Sequence, residues 1–112
     1  MDRNAIGYVR VSSRDQDDQT FSIEAQESMI ETYCSRRDYV FHGCFLDTGI
    51  SGDLASQPAL AELVDYCTLP GSKIMAVVVS DLSRIARSAD KLLRVIDTLK
   101  AHDIRLVCAR DK

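Results

Sequence analysis

The sequence predicts an α/β fold with three layers: a mostly parallel sheet of four or five strands, with helices on both faces. Three observations carry this prediction. Four β-rich apolar runs alternate with three segments of helical periodicity, which gives the order βαβαβαβ. Residues 74–79 are continuously apolar, which is typical of a central parallel strand covered on both faces. The connections between the runs are long enough for crossover helices, and 112 residues suffice for one domain.

The first βα unit begins with a strand at residues 5–11, which ends at a pair of serines. A polar loop follows at residues 12–21. Ser22 is the expected N-cap of the first helix, which runs to about Arg37, and Glu24 suits the positive end of the helix dipole. The expected inner face of this helix consists of Ile23, Ile30, Tyr33 and Cys34.

The second unit has a strand at residues 39–46 and a glycine-containing loop that begins at Asp47. Ser56 is placed to cap the second helix, Pro58 lies in its first turn, and a Pro-Gly pair at residues 70–71 ends it. The expected apolar face of this helix consists of Leu60, Leu63, Val64 and Cys67.

The third unit consists of the strand at residues 74–79, a polar connection at residues 80–87 and a helix that Ser88 caps. The last strand is expected at residues 104–109. The expected apolar face of the third helix consists of Leu92, Leu93, Ile96 and Leu99.

Composition excludes several classes of protein. No apolar run is long enough to span a membrane, and the N-terminus lacks the apolar core of a signal peptide, so we expect a cytoplasmic protein without a membrane partner. The four cysteines show no CxxC spacing and the two histidines lie far apart, so no metal site is predicted. The cysteines are expected to be core thiols.

The charge is unevenly distributed along the chain. The net charge is −3, which argues against binding nucleic acid by bulk charge. Residues 1–78 carry six basic and twelve acidic groups, whereas residues 79–112 carry eight basic and five acidic groups. A surface that handles anions is therefore expected to use the second part of the chain, together with the few arginines near the start.

Candidate chemistry lies in the loops that follow the strands, because ligands of parallel α/β sheets bind at the carboxyl ends of the strands. Ser12 is a candidate nucleophile among three guanidiniums, those of Arg10, Arg84 and Arg87. The spacing of Arg84 and Arg87 predicts one side of a helical turn. Because arginine suits the non-bridging oxygens of phosphate, the constellation favours phosphoryl transfer by positioning and charge stabilisation.

Plainer interpretations remain open at this level. A serine pair after a strand is often only a turn, Arg10 fits a solvated sheet edge, and Arg84 and Arg87 fit surface charges near a helix start. Asp47 and Asp81 follow strands and fit a receiver-like phosphoacceptor with Mg²⁺, but an aspartate at such a position more often caps a loop or helix. No glycine-rich nucleotide-binding motif is present in the sequence.

Four blocks of sequence resemble the N-terminal catalytic domain of the serine recombinases, which include resolvases, invertases and large serine integrases. They occur in the order of the family and span nearly all of the chain. The blocks are Gly7-Tyr8-Val9-Arg10-Val11-Ser12 followed by Gln16; Ser22-Ile23-Glu24-Ala25-Gln26; Asp47-Thr48-Gly49-Ile50-Ser51-Gly52; and Leu82-Ser83-Arg84-Ile85-Ala86-Arg87-Ser88.

The resemblance implies that Ser12 attacks a DNA phosphodiester and leaves a 5′-phosphoserine and a free 3′-hydroxyl, without a metal or other cofactor. It implies that three arginines hold the scissile phosphate, and that two glutamines support the nucleophile loop and the substrate. These are Arg10, Arg84 and Arg87, and Gln16 and Gln26. The implied partners are double-stranded DNA and further copies of the full-length protein, in a dimer and then a synaptic tetramer. The implied setting is the cytoplasm or nucleoid of a bacterial, phage or archaeal host.

The resemblance identifies residues 1–112 as this catalytic domain, without the dimerisation helix and DNA-binding region that follow it in the family. Gln57 stands where the family usually has Arg, Ser83 stands where it usually has Asp, and Tyr66 takes the place of a resolvase lysine. The first two departures favour an alternative, a non-catalytic recombinase-like module that binds partners or DNA sites.

The loop at residues 12–21 has few apolar anchors and several like charges, so we expect it to be mobile without DNA. We also expect the Ser12 hydroxyl to lie beyond hydrogen-bond range of Arg84 and Arg87, because catalytic contacts often tighten only when substrate binds.

Overall fold

The computed structural model describes residues 3–12, 22–49 and 57–110. These residues form four strands, three α-helices and one short 3₁₀ helix, in the predicted order. The elements are β1 (Asn4–Ser12), α1 (Ile23–Arg36), β2 (Val40–Gly49), α2 (Pro58–Cys67), β3 (Ile74–Val79), the 3₁₀ helix Leu82–Arg84, α3 (Ala89–Lys100) and β4 (Arg105–Cys108).

The strands form one parallel sheet in the order β2-β1-β3-β4. The predicted α/β fold is confirmed, with four strands in the described part of the chain. β1 and β3 are central, as the continuous apolar run of β3 predicts. The strand order changes direction between β1 and β3, because the chain moves from β1 to one side of the sheet and then crosses to the other. This position is the topological switch point of the sheet.

Each face of the sheet has its own core layer. Alternation along β1 directs Val9 to the face that α1 covers and Tyr8 to the face that α2 and α3 cover. The α1 layer includes Ile30 and Cys34, both of which were predicted on the inner face of that helix. Helices on both faces are therefore confirmed, and the central strands are shielded from water on both sides.

The third helix packs on a slightly different face from the predicted one. Leu99 is fully buried and Leu92 packs against the core, as expected. Leu93 is 55% exposed, and Val95 packs inward in its place. Contact at Leu92, Val95 and Leu99 follows the i, i+3, i+7 spacing of a helix lying on a sheet. The inclusion of Leu93 in the inner face was wrong.

Helix starts agree with the sequence at α1 and α3. The Ser22 side chain accepts from the Ala25 backbone N–H at 3.1 Å, and that of Ser88 accepts from the Lys91 N–H at 3.3 Å. The second helix differs. Its N-cap is Gln57, not Ser56, and Pro58 is its first helical residue. The Asp47 carboxylate on β2 accepts from the first-turn N–H groups in place of a side-chain cap at Gln57.

The second strand is longer than predicted. The expected loop at Asp47 is wrong, because β2 continues through Gly49. In this stretch Arg10 pairs with Asp47, Val11 with Thr48, and Ser12 with Gly49. Backbone pairing with β1 outweighs the loop tendency of the glycine. As a result, Asp47 is a strand residue whose main chain lies beside that of Arg10.

The cysteines are free thiols, as predicted, with Cys34 and Cys67 buried and Cys44 and Cys108 half-buried. Burial raises the pKa of the Cys34 and Cys67 thiols to about 11 and that of Cys44 to about 12. These three thiols therefore stay protonated near neutral pH. No helix of the described residues is long and apolar enough to cross a bilayer.

Close packing of β1 against β2 and α1 requires glycine at position 7. A Cβ atom there would lie 2.5 Å from the Cys44 Sγ and 3.1 Å from the Ile30 Cγ2. We expect Gly7→Ala to lower the free energy of unfolding by about 2 kcal/mol, measured by urea denaturation. In a Cys44→Ala background the same change should cost less, because the nearer atom is gone. Equal costs in the two backgrounds would contradict the steric explanation.

Candidate active site

Six polar or charged side chains are buried among the described residues, and all of them meet at the carboxyl end of the sheet. One hydrogen-bonded network, which includes the Tyr8 hydroxyl, joins them. Buried polar groups are costly unless they are paired, so their concentration at the switch point makes this end of the sheet the candidate functional site. The six are Arg10, Gln26, Asp47, Gln57, Ser80 and Arg84.

The network begins where β1 separates from β3. The two strands pair only from Asn4 to Gly7, whereas β1 stays paired with β2 as far as Ser12. Beyond the split, the Arg10 carbonyl accepts from two side chains, Gln26 Nε2 and Arg84 Nη1, each at 3.0 Å. The Ser80 hydroxyl, just after β3, lies 3.5 Å from the Gln26 Oε1. Side chains thus occupy the gap between the ends of the two central strands.

The side chains of Arg10 and Arg84 each donate a hydrogen bond to the main-chain carbonyl of the other residue. The Arg10 guanidinium donates from Nε to the Arg84 carbonyl at 2.9 Å and from Nη2 to the Ser83 carbonyl at 2.8 Å. In return, Arg84 donates to the Arg10 carbonyl, and each residue is only 4% exposed. The interpretation of Arg10 as a solvated edge residue is therefore wrong. Two guanidiniums are fixed beside the end of β1, in a low-dielectric setting where their charges act strongly.

The turn after β3 is braced by a cap of its own. The Asp81 carboxylate accepts from the Ser83 backbone N–H at 2.9 Å and from Arg110 Nη1 at 2.8 Å. The Ser83 N–H is the main reason why the pKa of Asp81 lies below its usual value. Arg87 lies beyond the 3₁₀ helix Leu82–Arg84 and is exposed. The prediction that Arg84 and Arg87 share one helical turn is wrong, because the helix ends at Arg84.

A second branch of the network connects β1 to α2. The Tyr8 hydroxyl donates to the Asp47 Oδ2 at 2.7 Å, and the same carboxylate accepts from the backbone N–H groups of Ala59 at 2.9 Å and Leu60 at 3.0 Å. Asp47 thus caps α2 from the neighbouring strand. The cap role expected for Asp47 and Asp81 is confirmed, and these bonds leave little support for a phosphoacceptor. Burial, reinforced by Asp47, holds the pKa of the Tyr8 phenol well above its usual value, so the hydroxyl stays a donor.

Gln57 joins this branch to the turn that follows β3. Its Nε2 donates to the Tyr8 hydroxyl at 3.0 Å and to the Ile85 carbonyl at 2.9 Å. Its Oε1 accepts from the Lys91 ammonium at the start of α3. At the position where the resemblance to serine recombinases implies an arginine, this chain has an uncharged amide that bridges β1, α3 and the residues beside Arg84.

The structure brings together three of the six residues predicted for the site: Arg10, Arg84 and Gln26. Arg87 is exposed nearby in the chain. Ser12 ends β1 two residues after Arg10, but its side chain, Gln16 and the predicted mobile loop lie outside the described residues. No group of His, Cys, Asp and Glu in the described ranges has the arrangement of a metal site.

Sequence reasoning missed the roles of Tyr8 and Lys91. The sequence places Tyr8 in the first strand and in the block Gly7–Ser12 but indicates no role for its hydroxyl, although its i, i+2 relation to Arg10 places both residues on one face of β1. That alternation was the available signal. Lys91 had none, because its partner is 34 residues away.

Comparisons with known proteins agree with this architecture. The family model "Resolvase, N terminal domain" matches residues 5–112. The chain is similar to the N-terminal catalytic domain of TP901-1 integrase, with 24% identity, a TM-score of 0.83, and coverage of 97% of this chain and 79% of that chain. It is also similar to a resolvase family site-specific recombinase from Streptococcus pneumoniae, with 25% identity, a TM-score of 0.82, and coverage of 97% and 73%.

A third similar structure is the C-terminal catalytic domain of ISC1926 TnpA, an IS607-like serine recombinase, with 18% identity, a TM-score of 0.75, and coverage of 97% of this chain and 71% of that chain. A comparison with curated protein sequences gave no match. The family model covers nearly the whole chain, and the sheet order and helix placement follow the same fold. The chain belongs to the resolvase N-terminal domain family, the catalytic domain of the serine recombinases.

Proposed function

We propose that this chain catalyses site-specific recombination of double-stranded DNA by cleaving and rejoining strands through a phosphoserine at Ser12. The family supports recombination as the process. The observation that carries the chemistry is the reciprocal bonding of Arg10 and Arg84. It fixes two buried cationic side chains at the end of the strand that terminates in Ser12, where a phosphodiester would meet both charge and nucleophile.

In the proposed step, the Ser12 Oγ attacks the scissile phosphorus. A bond from the serine oxygen to phosphorus forms, the bond from phosphorus to the 3′ oxygen breaks, and that oxygen takes up a proton while the serine proton is lost. One phosphodiester replaces another, so the reverse attack by a 3′-hydroxyl reseals the strand. Arginines that stabilise the charge on the phosphoryl oxygens lower the barrier in both directions.

The proposed roles differ among the supporting residues. Arg10 and Arg84 act from buried positions, and Arg87 reaches the phosphate from the exposed segment beyond the turn. Gln26 supports the end of β1 through the Arg10 carbonyl, and Gln16 supports the nucleophile loop. The proposed working form is a dimer on each DNA site and a tetramer when two sites meet, in the cytoplasm of the host.

The test is covalent trapping on DNA. The chain is incubated with nicked duplexes that carry randomised central base pairs and a label at the 3′ end of the strand expected to become attached. We expect a labelled adduct, and mass spectrometry should show that the 5′-phosphate of the DNA strand is attached to Ser12. Ser12→Ala should give no adduct, whereas Ser13→Ala, the matched control at the neighbouring serine, should still give one.

Two outcomes would contradict the proposal. An adduct that persists in Ser12→Ala would move the nucleophile elsewhere. Absence of any adduct with the wild-type chain, followed by its appearance in the Gln57→Arg, Ser83→Asp double variant, would establish the non-catalytic module instead.

A further inference from the structure

Lys91 lies in the first turn of α3, half-buried against the site network, and its ammonium donates to the Gln57 Oε1. A lysine ammonium can only donate, so it selects the oxygen end of the Gln57 amide. The amide nitrogen must then face the other way, toward the Tyr8 hydroxyl and the Ile85 carbonyl. Lys91 therefore favours the same orientation of the buried amide as the Ile85 carbonyl on the other side.

The direction of this amide matters for the residues beside Arg84. With Nε2 toward the turn, Gln57 donates to the Ile85 carbonyl at 2.9 Å and lies 3.4 Å from the Arg84 carbonyl. A reversed amide would place its oxygen against these carbonyl oxygens, which is repulsive. Hydrogen bonds therefore connect the Lys91 ammonium, through the Gln57 amide, to the carbonyls of Ile85 and Arg84. The Arg84 carbonyl also accepts from the Arg10 side chain.

The two ends of this network carry opposite charges. Lys91 is cationic at one end, Asp47 is anionic at the other, and the Gln57 amide and Tyr8 hydroxyl lie between them, with every donor pointing toward Asp47. Hydrogen bonds aligned in this way polarise one another. A neutral, apolar side chain in place of Lys91 would remove the charge and one of the contacts that orient the amide.

We propose that Lys91 is a positioning residue for DNA cleavage, acting through Gln57 to hold the turn that carries Arg84. This role rests on the proposed function at Ser12. It assigns to α3 a part in the reaction that no feature of the sequence indicates.

The test uses three variants in the trapping experiment: Lys91→Met, Lys91→Arg, and Lys100→Met as a matched control in the last turn of the same helix. We expect Lys91→Met to slow single-turnover adduct formation by about 10–100-fold, because small misplacements of catalytic groups have effects of this size. The DNA concentration for half-maximal rate should not change. Lys91→Arg should restore the rate to within about threefold of wild type, and Lys100→Met should leave it unchanged.

A second readout follows the Gln57 side-chain amide by ¹⁵N–¹H NMR. Its resonances should shift and its exchange with solvent should accelerate in Lys91→Met but not in Lys100→Met, and a thermal melt confirms that each variant is folded. If the Lys91→Met protein does not fold, Lys91→Leu takes its place, and the same results are expected because leucine also lacks a donor.

The outcomes separate the two claims. A wild-type adduct together with an unchanged rate or an unchanged Gln57 signal in Lys91→Met overturns the positioning role and leaves Ser12 chemistry intact. Absence of the wild-type adduct overturns the proposed function, and the role of Lys91 in cleavage is overturned with it.

Discussion

Replacing Asp47 with alanine is expected to lower the free energy of unfolding by about 3–4 kcal/mol, because three donors lose a buried acceptor. These donors are the Tyr8 hydroxyl and the first-turn N–H groups of Ala59 and Leu60. The stability of a domain of this size is only about 5–15 kcal/mol, and the melting temperature should fall by about 15 °C. Urea denaturation followed by circular dichroism measures the change.

The control is Asp65→Ala, which removes an exposed carboxylate from α2 and should change stability by less than about 0.5 kcal/mol. A double-mutant cycle adds a sharper test. Tyr8→Phe should cost less in the Asp47→Ala background than in wild type, because the hydroxyl has already lost its acceptor. A loss below about 1 kcal/mol for Asp47→Ala would contradict the cap assigned to this carboxylate.

Arg10→Met and Arg84→Met are each expected to reduce the rate of covalent adduct formation by about 10²–10³-fold, the usual effect of removing a preorganised donor from a charge-stabilising site. Each arginine holds the main chain of the other, so removing either one also disturbs its partner. The double variant should therefore be little slower than the slower single variant, and the effects should not multiply.

Two comparisons separate chemistry from folding. Arg94→Met, on the exposed face of α3, should keep the wild-type rate. Arg84→Lys should remain slow although it keeps the charge, because lysine lacks the planar fork of donors. Multiplicative effects in the double variant, measured on proteins shown to be folded, would mean that the two arginines act independently.

Much of the fold was predictable because its signals are local. The apolar run of β3, the serine caps of α1 and α3 and the alternation of element types each depend on residues close in sequence. The meeting of Arg10 with Arg84 also followed from a general rule, that parallel strands present their carboxyl ends at one edge. The sequence could therefore locate the site at the correct edge of the sheet.

The remainder depends on pairings between distant residues. No local pattern indicates that Asp47, eleven residues before the first helical residue of α2, caps that helix, and Ser56 lies outside the described residues. The extension of β2 through Gly49 depends on pairing with β1, which outweighs local loop tendency. The spacing of Arg84 and Arg87 fits one helical turn, but the 3₁₀ helix ends at Arg84, before it reaches Arg87. Tertiary contacts decided the first two of these points.

The crossed bonds of Arg10 and Arg84 join residues 74 positions apart. Contacts between residues so far apart in sequence form late in folding, because closing the intervening loop costs entropy before the contact can stabilise the chain. During synthesis from the N-terminus, Ser12 and Arg10 leave the ribosome well before the carbonyls of Ser83 and Arg84 exist. An interrupted chain therefore carries Ser12, the proposed nucleophile, without the turn whose carbonyls bind the Arg10 side chain. Under the proposed function, the arginine pair that would hold the phosphate therefore forms only when the chain has folded past residue 84, which would confine DNA cleavage to folded molecules.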